Sequence, residues 1–332
     1  MRISRVVVLA GLAVTVLAPT ACQEQPPAAQ PAAPAEAAAA VPTYWKTAPA
    51  SDTARIELLA RLRAVDPCAL IPRAALAAFG EPLRVENSKP GGCEATFGST
   101  EIEERTSISW SLGAAPQGYT WGAAKRRTVD GITIGTVSDA DSANPTESRP
   151  PHRTCLAVAA FGNTTTLPVT VNTPLGTEPC PIAEAALARA MTNLAVEPPR
   201  GTSPDTPPTA LLGKDPCEVA EVLGADAPAI ERRVWTCRFT FRGDEVQVQY
   251  DYQSEQLVRR GEPIFTVNGH HAYGDDNDGE SAFFTAAVGP ALPGADPERF
   301  LGADIPTVDV FGTDRAVLTE VLRTATGLFP AT

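Results

Sequence analysis

A chain of 332 residues with 43% hydrophobic and 20% charged side chains has the composition of globular material and the length of about two domains. Its 39 acidic and 27 basic side chains leave a formal net charge of -12, which repels phosphate backbones and anionic headgroups. No basic stripe reverses that field, so nucleic acid is not an expected partner.

At the N-terminus, Arg2 and Arg5 precede an apolar run from Val6 to Leu17 that is too short to span a bilayer comfortably, the pattern of an export signal over residues 1–21. The Ala21-Cys22 junction resembles the lipobox of bacterial lipoproteins, in which the cysteine is diacylated and becomes the new N-terminus. Pro19 stands where that pattern prefers leucine. An ordinary cleaved secretion signal and an uncleaved anchor are the alternatives, and all three export the chain. Parity favours lipidation, because seven cysteines leave one odd thiol and acylation of Cys22 leaves six. The expected location is therefore the extracytoplasmic face of the cell membrane, held by lipid, with secretion as the alternative.

Residues 22–53 are mostly Ala, Pro and Gln and read as a tether. A second Pro/Gly/Ser-rich stretch, residues 197–210, reads as an interdomain linker. The expected folded units are residues 54–196 and 211–332.

The two units repeat a motif set. Asp66-Pro67-Cys68 and Cys93 through Phe97 match Asp215-Pro216-Cys217 and Cys237 through Phe241. Thr128-Val129-Asp130-Gly131 matches Thr266-Val267-Asn268-Gly269, and Ala159 through Gly162 matches Ala286 through Gly289. Arg189, Thr192 and Leu194 correspond to Arg323, Thr326 and Leu328 at one offset. Blocks in one order with a period this long indicate a duplicated domain and not a solenoid.

Each unit opens with an aspartate suited to N-cap a helical turn and a proline suited to its first position. Pro72 interrupts that turn in the first unit, and Gly80 and Gly224 suit helix ends. Ile108, Trp110 and Leu112, and Val246, Val248, Tyr250 and Tyr252, alternate as in half-buried strands. Asp130-Gly131 and Asn268-Gly269 signal hairpins. A last strand leads into a closing helix, whose second copy aligns Val317, Leu318, Val321, Leu322 and Ala325 on one face. The predicted fold is α+β: two tandem duplicated domains, each an antiparallel sheet with helices packed on one face.

Six cysteines allow fifteen pairings, and the repeat chooses among them. Cys68 with Cys93 and Cys217 with Cys237 occur in both copies. Cys155 and Cys180 remain, and their second-copy counterparts are both non-cysteine, as a pairwise staple predicts. Metal or redox roles lack a C-x-x-C and any histidine at ligand spacing. Closing loops of this size contributes about 3 kcal/mol each in the chain-entropy account.

The D-P-C opening, the later C-x-x-T-F and the lipobox together resemble the actinobacterial lipoproteins that share a domain of unknown function. Their layout is similar to the disulfide-bonded extracellular sensor domain of mycobacterial receptor Ser/Thr kinases. The resemblance implies an envelope-exposed α+β domain with a cleft between helix and sheet, and it carries no catalytic residue over.

Candidate site residues are few. His270 and His271, with Asp275, Asp276, Asp278 and Glu280, form the densest group of metal-competent side chains. Adjacent strand histidines point to opposite faces, and they stand where the first unit has Ile132-Thr133, so an acidic surface loop with weak calcium binding is the plainer reading. The spacing around Gly279 does not fit an EF-hand. Trp110, Tyr119, Trp121, Trp235 and Tyr250 are expected in a core or lining a binding groove. Lys125-Arg126-Arg127 and Arg259-Arg260 read as solvated cations, with an anion or partner contact as the sharper alternative. His152 stands in a loop, no serine has a nucleophile-elbow context, and no nucleotide-binding loop occurs, so no cofactor and no enzymatic activity are expected.

The expected function is a non-catalytic ligand-binding or sensor module of the cell envelope, anchored in the membrane by lipid. The alternative is an interaction scaffold for another envelope protein, with a hydrolase behind both. A ligand module predicts an apolar pocket within a unit; a scaffold predicts filled units and a surface between or outside them. Mass spectrometry of the mature chain is expected to start at an acylated Cys22, and an unmodified start elsewhere would sink the lipid anchor.

Overall fold

The computed structural model describes residues 42–101, 103–114, 124–142, 152–226, 230–277, 281–293 and 302–330. The expected signal sequence, Cys22, most of the tether, Tyr119, Trp121, Asp278 and Glu280 lie outside the described residues.

The first unit begins with α1 (Thr43–Lys46) and α2 (Asp52–Ala64), then α3 (Arg73–Leu76). Its strands are β1 (Pro82–Lys89), β2 (Gly92–Phe97), β3 (Thr106–Ser111), β4 (Gly113–Ala114), β5 (Lys125–Val129) and β6 (Ile132–Ser138). After α4 (Asp139–Ser142) come β7 (His152–Ala160), β8 (Thr165–Pro174) and the closing helix α5 (Cys180–Leu194). The second unit runs α6 (Glu218–Val222), β9 (Glu231–Arg232), β10 (Thr236–Phe241), β11 (Asp244–Ser254), α7 (Glu255–Val258), β12 (Phe265–Val267), β13 (His270–Asn277), β14 (Ser281–Ala287), β15 (Asp304–Gly312) and α8 (Arg315–Thr326).

The strands form two antiparallel sheets of eight and seven strands. Taken from the first strand of each unit, their orders are β1-β2-β3-β8-β7-β6-β5 and β9-β10-β11-β15-β14-β13-β12, and β4 pairs with β8 beyond the end of β3. Position by position the two orders are the same. The hairpins form at the signalled turns: Asp130 and Gly131 have φ of 49° and 78°, and Asn268 and Gly269 have 51° and 82°. Positive φ at both central positions is the type I′ geometry that matches strand twist.

Each unit has its own core. The inward residues of β3, Ile108 and Trp110, meet Leu187, Ala190 and Leu194 of α5 in the first. In the second, Val246, Val248 and Tyr250 of β11 and Val308 and Val310 of β15 meet the apolar face of α8. Asp314 caps α8 by accepting from the amides of Ala316 and Val317. Disulfides join Cys68–Cys93, Cys155–Cys180 and Cys217–Cys237, the pairs selected by the repeat. Three such bonds fit an oxidising extracytoplasmic compartment. Among the described residues no helix is long and apolar enough to cross a membrane.

Two boundaries differ from expectation. The tether expected to run to residue 53 gives way to folded chain by Thr43: Trp45 is fully buried in the first core, its ring 6.0 Å from that of Phe161, and its indole N–H donates to Glu197 Oε1. Ser51 then caps α2, which buries Leu58, Leu59 and Leu62. Composition averaged over the Ala/Pro stretch hid a single large aromatic, whose burial alone offsets the ordering of a short segment.

Residues 197–210, expected as a linker, form an ordered strap across the first unit. Asp66 N donates to Pro198 O and Arg200 N to Ala64 O, so the strap opens as a short antiparallel bridge. The fully buried Asp66 carboxylate accepts from Cys68 N, Ala69 N, Ser203 N and Thr206 Oγ1, at 2.5–3.2 Å. Prolines 198, 199, 204, 207 and 208 have no amide donor, so the strap packs without a partner strand to satisfy them. The same composition that suits a linker thus suits a strap.

Asp66→Ala is expected to lower stability by about 3 kcal/mol, since it strands buried donors. Urea unfolding measures the loss, and limited proteolysis should cut within 200–208 in the variant alone; an unchanged midpoint would show the carboxylate to be dispensable.

Candidate functional site

The two units meet at a junction built from charged and aromatic side chains. Arg63 of α2, 3% exposed, donates to Asp215 Oδ2 at 2.8 Å and to the Val234 carbonyl at 3.3 Å. Asp215 also caps its own turn, Oδ1 accepting from Cys217 N at 2.9 Å. Val234 is buried in the first core although it belongs to the second unit, and Trp235 packs beside it. Arg200 of the strap lies over the Trp235 ring at 5.4 Å and donates to the carbonyls of Arg63 and Pro90. Gly91 has no room for a Cβ, which would collide with the Trp235 indole. No carboxylate pairs with Arg200 among the described residues, and burial lowers its affinity for its proton.

Beside this junction lies a cleft of about 870 Å³. One wall is β1, the terminal strand of its sheet, contributing Leu83, Arg84 and Glu86; the strap contributes Arg200 and Asp205, and the second unit Asp304. The charges inside are mostly matched. Arg73 grips both oxygens of Asp205 at 2.7–3.1 Å, and Arg84 lies 3.3 Å from Glu86. A smaller recess of about 350 Å³ is lined by Ala69, Pro72, Val196 and Pro198, and Ser203 to Asp205 line both, so they form a partition between a cleft of mixed character and an apolar recess.

The described residues lining the large cleft include no histidine, cysteine, lysine or tyrosine. Its one serine, Ser203, is held in the strap, Oγ accepting from Asp205 N. What this arrangement does chemically is present shape, guanidinium and carboxylate groups to a bound molecule.

A second cluster lies on β11, β14 and β15. Asp309, 1% exposed, accepts from Thr285 Oγ1 at 2.7 Å and Gln253 Nε2 at 2.6 Å. Burial pushes its carboxyl up to about 7, and the neighbouring Asp251 carboxylate pushes the same way. Asp251 is itself raised, by burial first, although Tyr252 N and Gln249 Nε2 donate to it.

Among the described residues the expected site residues do not converge. Trp110, expected in a core or lining a groove, is in the core: it is 2% exposed, and its indole N–H donates to Pro67 O, bracing the D-P-C turn from within. Tyr250 is 1% exposed against Phe329, and burial raises its hydroxyl. Neither presents a surface to a ligand, because strand alternation turned them toward their helices. His270 is buried and donates from Nδ1 to Ala287 O at 2.8 Å, whereas His271 is exposed and pairs with Thr266 Oγ1 at 3.0 Å. Alternation thus sends the two rings to opposite faces. Asp275 and Asp276 lie on β13, paired with Phe283 and Ala282 of β14. Among the described residues no three His, Cys, Asp or Glu side chains gather to hold a metal.

The residues that do line the cleft carried little sequence signal. Arg200 and Asp205 sat in the Pro-rich stretch, and Arg84 and Glu86 in an unremarked strand. Only the contact between units brings them together. Compared with family models the chain matches none, and no curated protein matches it.

Asp309 makes stability pH-dependent with a defined sign. An unfolded carboxyl titrates near 4, so between about pH 4 and 7 the folded chain holds more protons than the unfolded one. That contribution therefore falls as pH rises through the window and is lost above it. Asp309→Asn is expected to unfold at higher urea than the parent at pH 8 and to differ little from it at pH 4; equal gaps at both values would contradict a raised carboxyl.

Proposed function

We propose that the chain is an exported, lipid-anchored binding module without catalytic activity, whose site is the cleft between its two units. The identical strand orders, the matching hairpins and the repeated D-P-C turns support an origin by duplication, with a closing helix set on each sheet. The observation that carries the functional reading is where the space lies. Among the described residues, both cores are packed with large buried side chains, Trp110 in one and Tyr250 in the other, and a hollow of about 870 Å³ is lined by residues of both units.

This distribution favours a site assembled by the pair over a pocket inside either copy. Duplication followed by fusion through a rigid strap supplies two walls that a single unit lacks. The matched charges of Arg73, Asp205, Arg84 and Glu86 suit a polar or zwitterionic ligand, or an exposed segment of another envelope protein, which exchanges partners with those ion pairs. The lipid anchor and the kinship with D-P-C lipoproteins rest on the motifs of the sequence.

A photo-crosslinking residue at Leu83, exposed in the cleft wall, is expected to capture a defined adduct in intact envelopes. The same residue at Val129, also exposed, on β5 and not among the residues lining the cleft, is expected to capture none of it. The adduct mass separates a small ligand from a polypeptide. Identical products at both positions, or none at Leu83, would remove the cleft as the site.

A further inference from the structure

The outward side of the second sheet, opposite α8, has a composition that neither the fold nor the cleft explains. One row across four strands is formed by Phe283, Phe311, Gln247 and Arg238, each pairing with the next in register. Phe283 and Phe311 are 40% and 37% exposed, with ring planes 26° apart and centroids 6.2 Å apart. The next row is Tyr273, Thr285, Asp309, Gln249 and Thr236. Side chains along β11 form a ladder, Gln247 donating to Gln249 at 3.5 Å and Gln249 to Asp251 at 3.1 Å, and Arg238 Nε of β10 donates to Gln247 Oε1 at 2.6 Å.

The first sheet supplies an internal comparison. Its row at the same place in the strand order is Leu156, Thr170, Ser109 and Glu94. It has no aromatic pair, and the adjacent row on that face holds a single amide, Asn172, bonded between Thr154 and Ser107. Matching scaffolds with different faces point to a feature of the second unit that folding does not require.

We propose that this face binds a neutral glycan chain, sugar rings stacking on Phe283 and Phe311 and hydroxyls bonding to the Gln247–Gln249–Asp251 ladder. A pyranose or furanose chain has apolar C–H faces and a rim of hydroxyls that both donate and accept. Parallel aromatic rings suit the former, and planar amides, which donate and accept side by side, suit the latter. A protein partner is a poorer match, because interface cores concentrate large apolar residues, whereas the half-buried groups beside the two rings, Gln247, Gln249 and Asp251, are polar, and Asp309 and Thr285 of the same face are buried and bonded to each other. An anionic polymer is disfavoured by the net charge of -12.

The test is calorimetric titration of the full-length chain with four soluble hexasaccharides: β-1,4-linked glucose, β-1,4-linked N-acetylglucosamine, α-1,6-linked mannose and α-1,5-linked arabinose. At least one is expected to bind, and the double variant Phe283→Ala/Phe311→Ala to weaken it about tenfold or more. Gln247→Ala is expected to weaken it several-fold and Phe311→Trp to retain it, both with the parent's unfolding midpoint, which separates lost contacts from lost folding. Thr170→Ala, in the equivalent row of the first sheet, is expected to change nothing. The proposal falls if no hexasaccharide binds at millimolar concentration, or if binding survives in the double variant. It also falls if that variant instead abolishes self-association in sedimentation, which would make the face a contact between copies.

Discussion

A buried carboxylate, that of Asp66, holds the connection between the two halves in place. It caps the turn that carries Cys68 and at the same time accepts from Ser203 and Thr206 of the strap. One buried carboxylate links the turn that carries Cys68 to the strap, and losing it leaves donors of both unpaired. The strap in turn carries Arg200 onto Trp235 of the second unit and Asp205 onto Arg73, which shapes one wall of the cleft. Local capping chemistry thereby controls long-range geometry.

The second copy of the motif is used differently. Asp215 keeps the capping bond to Cys217 and turns its other oxygen to Arg63 of the first unit. One aspartate holds the strap and the other holds the neighbouring domain, so both motifs serve the junction. The halves also diverge on their sheet faces, where the second carries an exposed aromatic pair, Phe283 and Phe311, that the equivalent row of the first lacks.

Much of the fold was legible because it rests on local, periodic signals. The two Asx-Gly turns need positive φ, alternation on β3 and β11 follows from pleating, and the face of α8 follows from its helical period. Comparing the copies also told apart cysteines that spacing alone leaves ambiguous. Trp45 and the strap were illegible for the opposite reason. Low-complexity composition describes an average over a window, whereas their order comes from one indole finding a core and one carboxylate finding four donors. The candidate site residues singled out by type, Trp110, Tyr250 and His270, turned out to be buried because aromatic and imidazole groups satisfy cores as readily as sites.

The antiparallel strands, the hairpin turns and the three cysteine pairs could be read from the amino-acid sequence, since each depends on neighbours along the chain or on a repeat of them. The tertiary structure decided where the open space lies and which polar groups share a surface. Arg73, Arg84, Arg200 and Asp304 come from four separate segments, and Phe283, Phe311 and Gln247 from three strands. Such groupings arise from strand order and from the packing of one unit against another, and no periodicity along a single segment encodes them.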